Sequence, residues 1–151
     1  MYNIHMKIKT VNKPWGHELW IADGIRTPYA LKKILFKAGT RTSLQVHKYK
    51  FETNYVLSGS GRLLRSKEFF DIDKFLEKGM TANEVAEYEN TFEIIFLEAG
   101  VYFDVEPGYV HRVYADSDLE FMEASTPHLD DVIRLQDDLG RTHGKIDKEH
   151  E

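Results

Sequence analysis

The chain has 151 residues, 42% hydrophobic and 13% aromatic, which is the size and apolar content of one compact domain and excludes an intrinsically disordered segment. It has no cysteine, so disulfides and thiolate metal sites are excluded, and a reducing, cytoplasmic location fits. The formal net charge is −5 with lysine and arginine scattered, which argues against nucleic acid as a partner, and no apolar run approaches the ~20 residues that would span a membrane.

Residues 1–10 lack the apolar stretch of a signal peptide. Pro14 and Trp15 are expected to pack an N-terminal arm onto the body of the protein, and Trp20 to lie in the core. Residues 30–37 alternate apolar and basic side chains and stop at Ala38-Gly39-Thr40. Residues 42–48 form the next strand, followed by a tight connection and a strand over 52–58 that ends at Gly59-Ser60-Gly61. The period then changes. Over 69–89, Phe70, Lys74 and Glu77 share one helical side, and Ile72, Phe75 and Leu76 the other, with a break at Gly79. Thr81-Ala82-Asn83-Glu84 is a capping box that opens a second short helix. Strands resume at 92–97 and 101–105, which ends at Glu106-Pro107-Gly108. Two more follow at 110–114 and 119–124, split by Asp116-Ser117-Asp118. Residues 130–139 read as a short helix or an extended segment stopped by Gly140, and 142–151 as a flexible polar tail. Short strands at even spacing predict an all-β sandwich or barrel with a helical insertion over 66–91. No repeat or linker interrupts it, so residues 1–151 read as a single domain.

One stretch carries the chemistry. On a strand, Ser43, Gln45, His47 and Tyr49 point the same way, and Glu52 opens the next strand beyond a turn. A hairpin there brings Glu52 close to His47. His111 begins another strand after a Pro-Gly turn and can reach the same interior from the opposite wall. Two neutral imidazoles and a carboxylate at one point suit a divalent metal with open positions, and such ligands choose poorly among zinc, iron, manganese, cobalt and nickel. Tyr49 reads as a pocket wall or substrate contact, since a phenol with a pKa near ~10 is a poor ligand. Arg112 follows His111 and points the other way, to a surface or interface ion pair or to a substrate. His5, His17, His128, His143 and His150 lack partners at ligand spacing. The pairs Asp130/Asp131 and Asp137/Asp138 read as solvated acids, helix-start charges, or partners of Arg134 or Arg141.

These residues resemble a known family. Gly39, His47, Glu52 and Gly59 fall on the first cupin motif, and Gly100, Pro107, Gly108 and His111 fall near the second. Lys13-Pro14-Trp15-Gly16, Ser43-Leu44-Gln45-Val46-His47, Gly108-Tyr109-Val110-His111-Arg112 and the acidic segment 130–141 are similar to the small cupin domain of type II mannose-6-phosphate isomerase. Three departures stand out: Tyr49 replaces the second histidine of a His-x-His pair, Glu106 holds the place of the motif proline, and 66–91 has no counterpart.

The resemblance implies a cupin-type double-stranded β-helix, or jelly-roll barrel. It implies a divalent metal, zinc first, on Gln45, His47, Glu52 and His111. It implies catalytic roles for Glu52, Lys33 and Arg112, substrate contacts from Tyr49, Lys33 and Arg134, and a homodimer. The expected reaction is aldose–ketose isomerisation of a sugar phosphate through a cis-enediol, with a metal-bound hydroxide, Glu52 or Lys33 as the base. Two rivals stand beside it. One is an isomerase or epimerase of nucleotide-linked sugars, with Tyr29, Tyr109 and Tyr114 for stacking. The other is a non-catalytic sugar-binding module. The insertion reads as a lid over the barrel mouth or a dimer contact.

Overall fold

The computed structural model describes residues 7–141 and the backbone of 144–146. His5, His143, His150 and the remainder of the tail lie outside the described residues. Twelve strands and two helices are present among the described residues. The strands are β1 (Lys9–Lys13), β2 (Gly16–Asp23), β3 (Ala30–Phe36), β4 (Leu44–Val46), β5 (Glu52–Ser58) and β6 (Ser60–Arg65). After the helices α1 (Ile72–Lys78) and α2 (Ala82–Glu89) come β7 (Glu93–Glu98), β8 (Tyr102–Val105), β9 (His111–Ala115), β10 (Leu119–Ser125), β11 (Val132–Gln136) and β12 (Gly144–Ile146). They form two six-stranded antiparallel sheets, ordered β1-β2-β3-β10-β5-β8 and β12-β11-β4-β9-β6-β7. This is the jelly-roll arrangement that the motifs imply.

Side-chain alternation explains the sandwich. On β3, β5 and β10, every second residue is buried. The inward apolar set includes Ile34, Phe36, Val56, Leu63, Phe103, Val113, Leu119 and Phe121, which pack as one cluster between the sheets. Each such side chain contributes roughly 1.5–3 kcal/mol by leaving water. Trp15 stacks on Phe36 with ring centroids 4.2 Å apart, closing one end of that cluster, and Trp20 is buried as well. Gly59 makes the reversal from β5 to β6 at φ +86°. A Cβ there would lie 1.9 Å from the Asp118 carbonyl oxygen, so only glycine fits.

A second cluster covers the outer face of the β4–β9–β11 sheet. Leu44, Val46, Ile133 and Leu135 meet Ile72, Phe75 and Val85 of the insertion and Phe92 just after it. Both helices form where the spacing predicts. Asp71 caps α1 by accepting from the Lys74 N–H, and the Thr81/Glu84 capping box opens α2. No insertion residue lines the cavity between the sheets, so the insertion is not a lid over the barrel mouth. It is a cover on the back of the sheet that carries His111.

Several elements differ from expectation. Alternation does not reveal β2 and β6, because apolar and polar residues mix on both of their faces, nor β1, where Val11 is the one apolar residue. Of the two forms expected for segment 130–139 it takes the extended one, with β11 at its centre pairing with β4 and β12. Within the expected tail, Gly144–Ile146 is a strand. No helix of the described residues is long and apolar enough to cross a membrane.

Candidate metal centre

β4 and β9 are paired neighbours with Gln45 opposite His111, and β5 begins at Glu52 across a short turn from His47. That geometry brings one ligand atom each from His47, Glu52 and His111 within 4.8 Å of one another. All three are buried. The imidazole rings lie 5.1 Å apart. His47 Nε2 is 3.9 Å, and His111 Nε2 3.5 Å, from the same Glu52 oxygen.

The back of each ring meets a backbone carbonyl, Asp131 O at 2.6 Å from His47 Nδ1 and Tyr109 O at 3.1 Å from His111 Nδ1. A carbonyl only accepts, so each Nδ1 carries the proton and each Nε2 presents a lone pair. Burial first, then the charge of Lys50 and the neighbouring His111, drive His47 well below the ordinary histidine value. Burial chiefly brings His111 to about 4. Two lone pairs therefore face the Glu52 carboxyl, whose own hold on a proton is strengthened by burial and by Glu123, and a divalent cation at the focus would take the place of that proton. The donor set fits a divalent ion.

The metal-free protein should report these shifts. An unfolded imidazole takes up its proton near ~6.5, whereas folded His111 does so only near 4. Between those values the unfolded state binds more protons, so stability is lost as pH falls through that window. His111 alone accounts for on the order of 3 kcal/mol at most. His47 acts in the same direction. Glu52, raised by burial and by Glu123, acts in the opposite one. Glu123, held low by Lys50, acts with the imidazoles, so the melting temperature of metal-free protein is expected to drop from pH 7 to pH 4.5. Calorimetry that finds a flat profile would count against buried, neutral rings.

The centre opens on a cavity of about 80 Å³, room for an ion and a few waters. Its wall carries a set of charges that the sequence reading missed. Lys50 Nζ lies 2.7 Å from Glu123 and 3.3 Å from Glu52. Lys32 Nζ lies 3.6 Å from Glu18 and 4.4 Å above the Trp20 ring. Burial works against the Lys50 charge, but Glu123 and Glu52 outweigh it and hold the ammonium protonated. Burial would likewise raise Glu123; Lys50 overcomes that and keeps Glu123 well below the usual carboxylate range. Asn54 lines the same wall, with its Oδ1 buried and lacking a hydrogen-bond partner among the described residues.

Of the expected site residues, His47, Glu52, His111 and Gln45 meet in this cavity. The Gln45 side-chain oxygen already accepts from the Ser43 hydroxyl at 3.0 Å and keeps a second lone pair. Four others lie outside its wall. Lys33 sits on the outer face of β3, paired with Glu120 at 2.9 Å; its neighbour Lys32 is the one that faces inward. Tyr49 is 61% exposed. Arg134 is buried on β11 opposite Gln45 in the ladder, without reaching the cavity. Arg112 forms no surface ion pair: it is buried between sheet and insertion, donating to Thr42 O and Glu89 at 3.0 Å each and to Gln136. Tyr29, Tyr109 and Tyr114 also lie outside the cavity wall. Asp137 pairs with Arg141 at 2.7 Å, as the sequence allows. Asp131 is not a solvated acid; its carboxylate accepts three backbone N–H groups of the turn before Glu52.

Known proteins resemble the chain at two levels. A family model described as mannose-6-phosphate isomerase C-terminal matches residues 2–113. A mannose-1-phosphate guanylyltransferase of Salmonella muenchen is 30% identical over 104 residues, covering 66% of this chain and 22% of that protein. The chain thus spans about a fifth of the length of that curated relative. In fold, the capsular polysaccharide assembling protein CapF of Staphylococcus aureus matches at TM-score 0.59 and 17% identity, over 89% of this chain and 33% of that one. Ectoine synthase from P. lautus matches at TM-score 0.56 and 17% identity, over 78% and 68%. An oxalate decarboxylase of Bacillus subtilis matches at 0.56 and 19%, over 79% and 27%.

Proposed function

Because the chain belongs to the mannose-6-phosphate isomerase C-terminal family, we propose that it is a metal-dependent aldose–ketose isomerase of a sugar phosphate, interconverting mannose 6-phosphate and fructose 6-phosphate. The observation that carries the reading is the meeting of His47 Nε2, His111 Nε2 and a Glu52 oxygen at one buried point. A curated relative whose name specifies a mannose phosphate supports the substrate class.

When bound there, a divalent ion, zinc first among the candidates, supplies Lewis-acid stabilisation of charge developing on the sugar oxygens. His47, Glu52 and His111 would hold the ion, and Gln45 could add a fourth donor. The protein's own groups do the rest. Glu123 lines the cavity outside the ligand set and is the acceptor for the proton that moves between C1 and C2; its pair with Lys50 at 2.7 Å weakens it as a base, so that contact must loosen when the sugar binds. Asn54 Oδ1, buried without a donor, accepts a sugar hydroxyl. Lys13 and Arg141 line the cavity and are only half-buried, which marks its open end. They are the anchors for the phosphate, which suits charge-assisted bonds and need not enter the 80 Å³ interior. This assigns to Lys13, Arg141 and Glu123 the roles expected of Lys33 and Arg134.

Purified protein is expected to convert mannose 6-phosphate in a coupled assay, to stop when EDTA is added, and to resume when zinc or manganese is restored. Absence of conversion by protein carrying stoichiometric metal would sink the isomerase reading. A second reading, a non-catalytic sugar-phosphate module, is favoured by Tyr49, which stands 61% exposed where the motif has a histidine. Saturable binding of mannose 6-phosphate without turnover would select it.

A further inference from the structure

We infer that Asp131 is the positioning residue of the metal centre, locking both the ring of His47 and the turn that leads to Glu52. The inference deepens the proposed function and rests on its reading of His47 and Glu52 as metal ligands. Residues 48–51 join the two ligands, and a connection that short is free to adopt several shapes unless something holds it. Its three consecutive backbone N–H groups point to one side, a concave array that attracts an anion.

The Asp131 carboxylate, from the segment leading into β11, fills that array. Oδ1 accepts from Lys48 N at 3.1 Å, and Oδ2 accepts from Tyr49 N at 2.6 Å and Lys50 N at 2.9 Å. The backbone carbonyl of the same residue accepts from His47 Nδ1 at 2.6 Å. One residue, more than 80 positions away in sequence, thus fixes the tautomer of one ligand and the approach of the next. Hydrogen bonds to an ionised acceptor are about twice as strong as neutral ones, so the carboxylate is the larger part of the lock. Outer partners of metal ligands typically alter affinity ~10–100-fold when removed.

The test compares wild type with Asp131→Asn, Asp131→Ala and, as a control for stability alone, Asp138→Ala, which breaks an ion pair with Arg41 remote from the ligands. Zinc affinity is measured by competition with a chromophoric chelator. The His47 tautomer is read in metal-free protein from long-range ¹⁵N–¹H spectra. Wild type is expected to hold a single Nδ1–H tautomer. Asp131→Ala should mix the tautomers and weaken zinc binding ~10–100-fold, with Asp131→Asn between the two. Asp138→Ala should change neither readout whatever it does to melting temperature. If both Asp131 variants keep zinc affinity within twofold and an unmixed tautomer, the inference is overturned, even if they melt earlier. If wild type binds no zinc, the metal reading fails, while the tautomer spectra still decide the role of Asp131.

Discussion

Replacing His47 and His111 together with alanine is expected to strip the protein of stoichiometric metal and to cut mannose 6-phosphate conversion by on the order of 100-fold or more. The physical reason is that Glu52 would be left as a lone carboxylate among the three converging donors, and one buried carboxylate does not hold a divalent ion at neutral pH. The fold should survive. Both rings face the cavity rather than either apolar cluster, and neither appears among the residues that pack those clusters. Elemental analysis and circular dichroism on the same sample separate the effects. A folded double variant that retains metal and turns over at the wild-type rate would remove the basis for the proposed function.

The largest expected effect on stability lies on the other face of the same strand. Arg112 is 1% exposed and donates to Thr42 O, Glu89 and Gln136, tying β9 to the loop before β4, to α2 and to β11. Arg112→Ala would leave these acceptors unmatched in a desolvated seam and open a void the size of a guanidinium. Losing one partner of such a buried pair costs about 3–5 kcal/mol; Glu89 keeps some contact with water, so the lower end applies. For a chain of this length that is a melting-temperature drop of roughly 6–12 °C. The resemblance to known isomerases implies a catalytic role for Arg112. If that were its role, the variant would melt normally and fail to turn over. The expected result is the reverse: metal content held, residual activity at low temperature, and early melting in a thermal scan.

The ligand triad was legible because its signals are local. A strand, a short turn and a second strand bring His47 beside Glu52, and a Pro-Gly turn precedes His111. The charged wall of the cavity was not legible, for a specific reason. β3 carries Lys32 and Lys33 in succession, and β10 carries Glu120 and Glu123, so each strand offers a like charge to both faces. Apolar residues also fall in both phases of each strand. Only pairing with neighbouring strands decides which phase is buried, and it puts Lys32 and Glu123 directly opposite each other, facing inward. The resemblance points to Lys33, which this pairing turns to the outer face beside Glu120. Asp131 was hidden for a different reason: its partners lie in a turn some 80 residues earlier, and an acidic pair beside a basic segment looks like ordinary solvated charge. The two helices were legible because capping chemistry and periodicity agree there.

The helical cover has a consequence for anyone who would trim this protein to a minimal scaffold. Excising residues 67–91 spares the cavity, since none of them lines it, yet it would bare Leu44, Val46, Val110, Ile133 and Leu135 to water as one greasy plate. Two of those residues flank Gln45 and another immediately precedes His111. A shortened version would therefore need that plate repainted with polar side chains before its chemistry could be judged, or clumping would be mistaken for a dead centre.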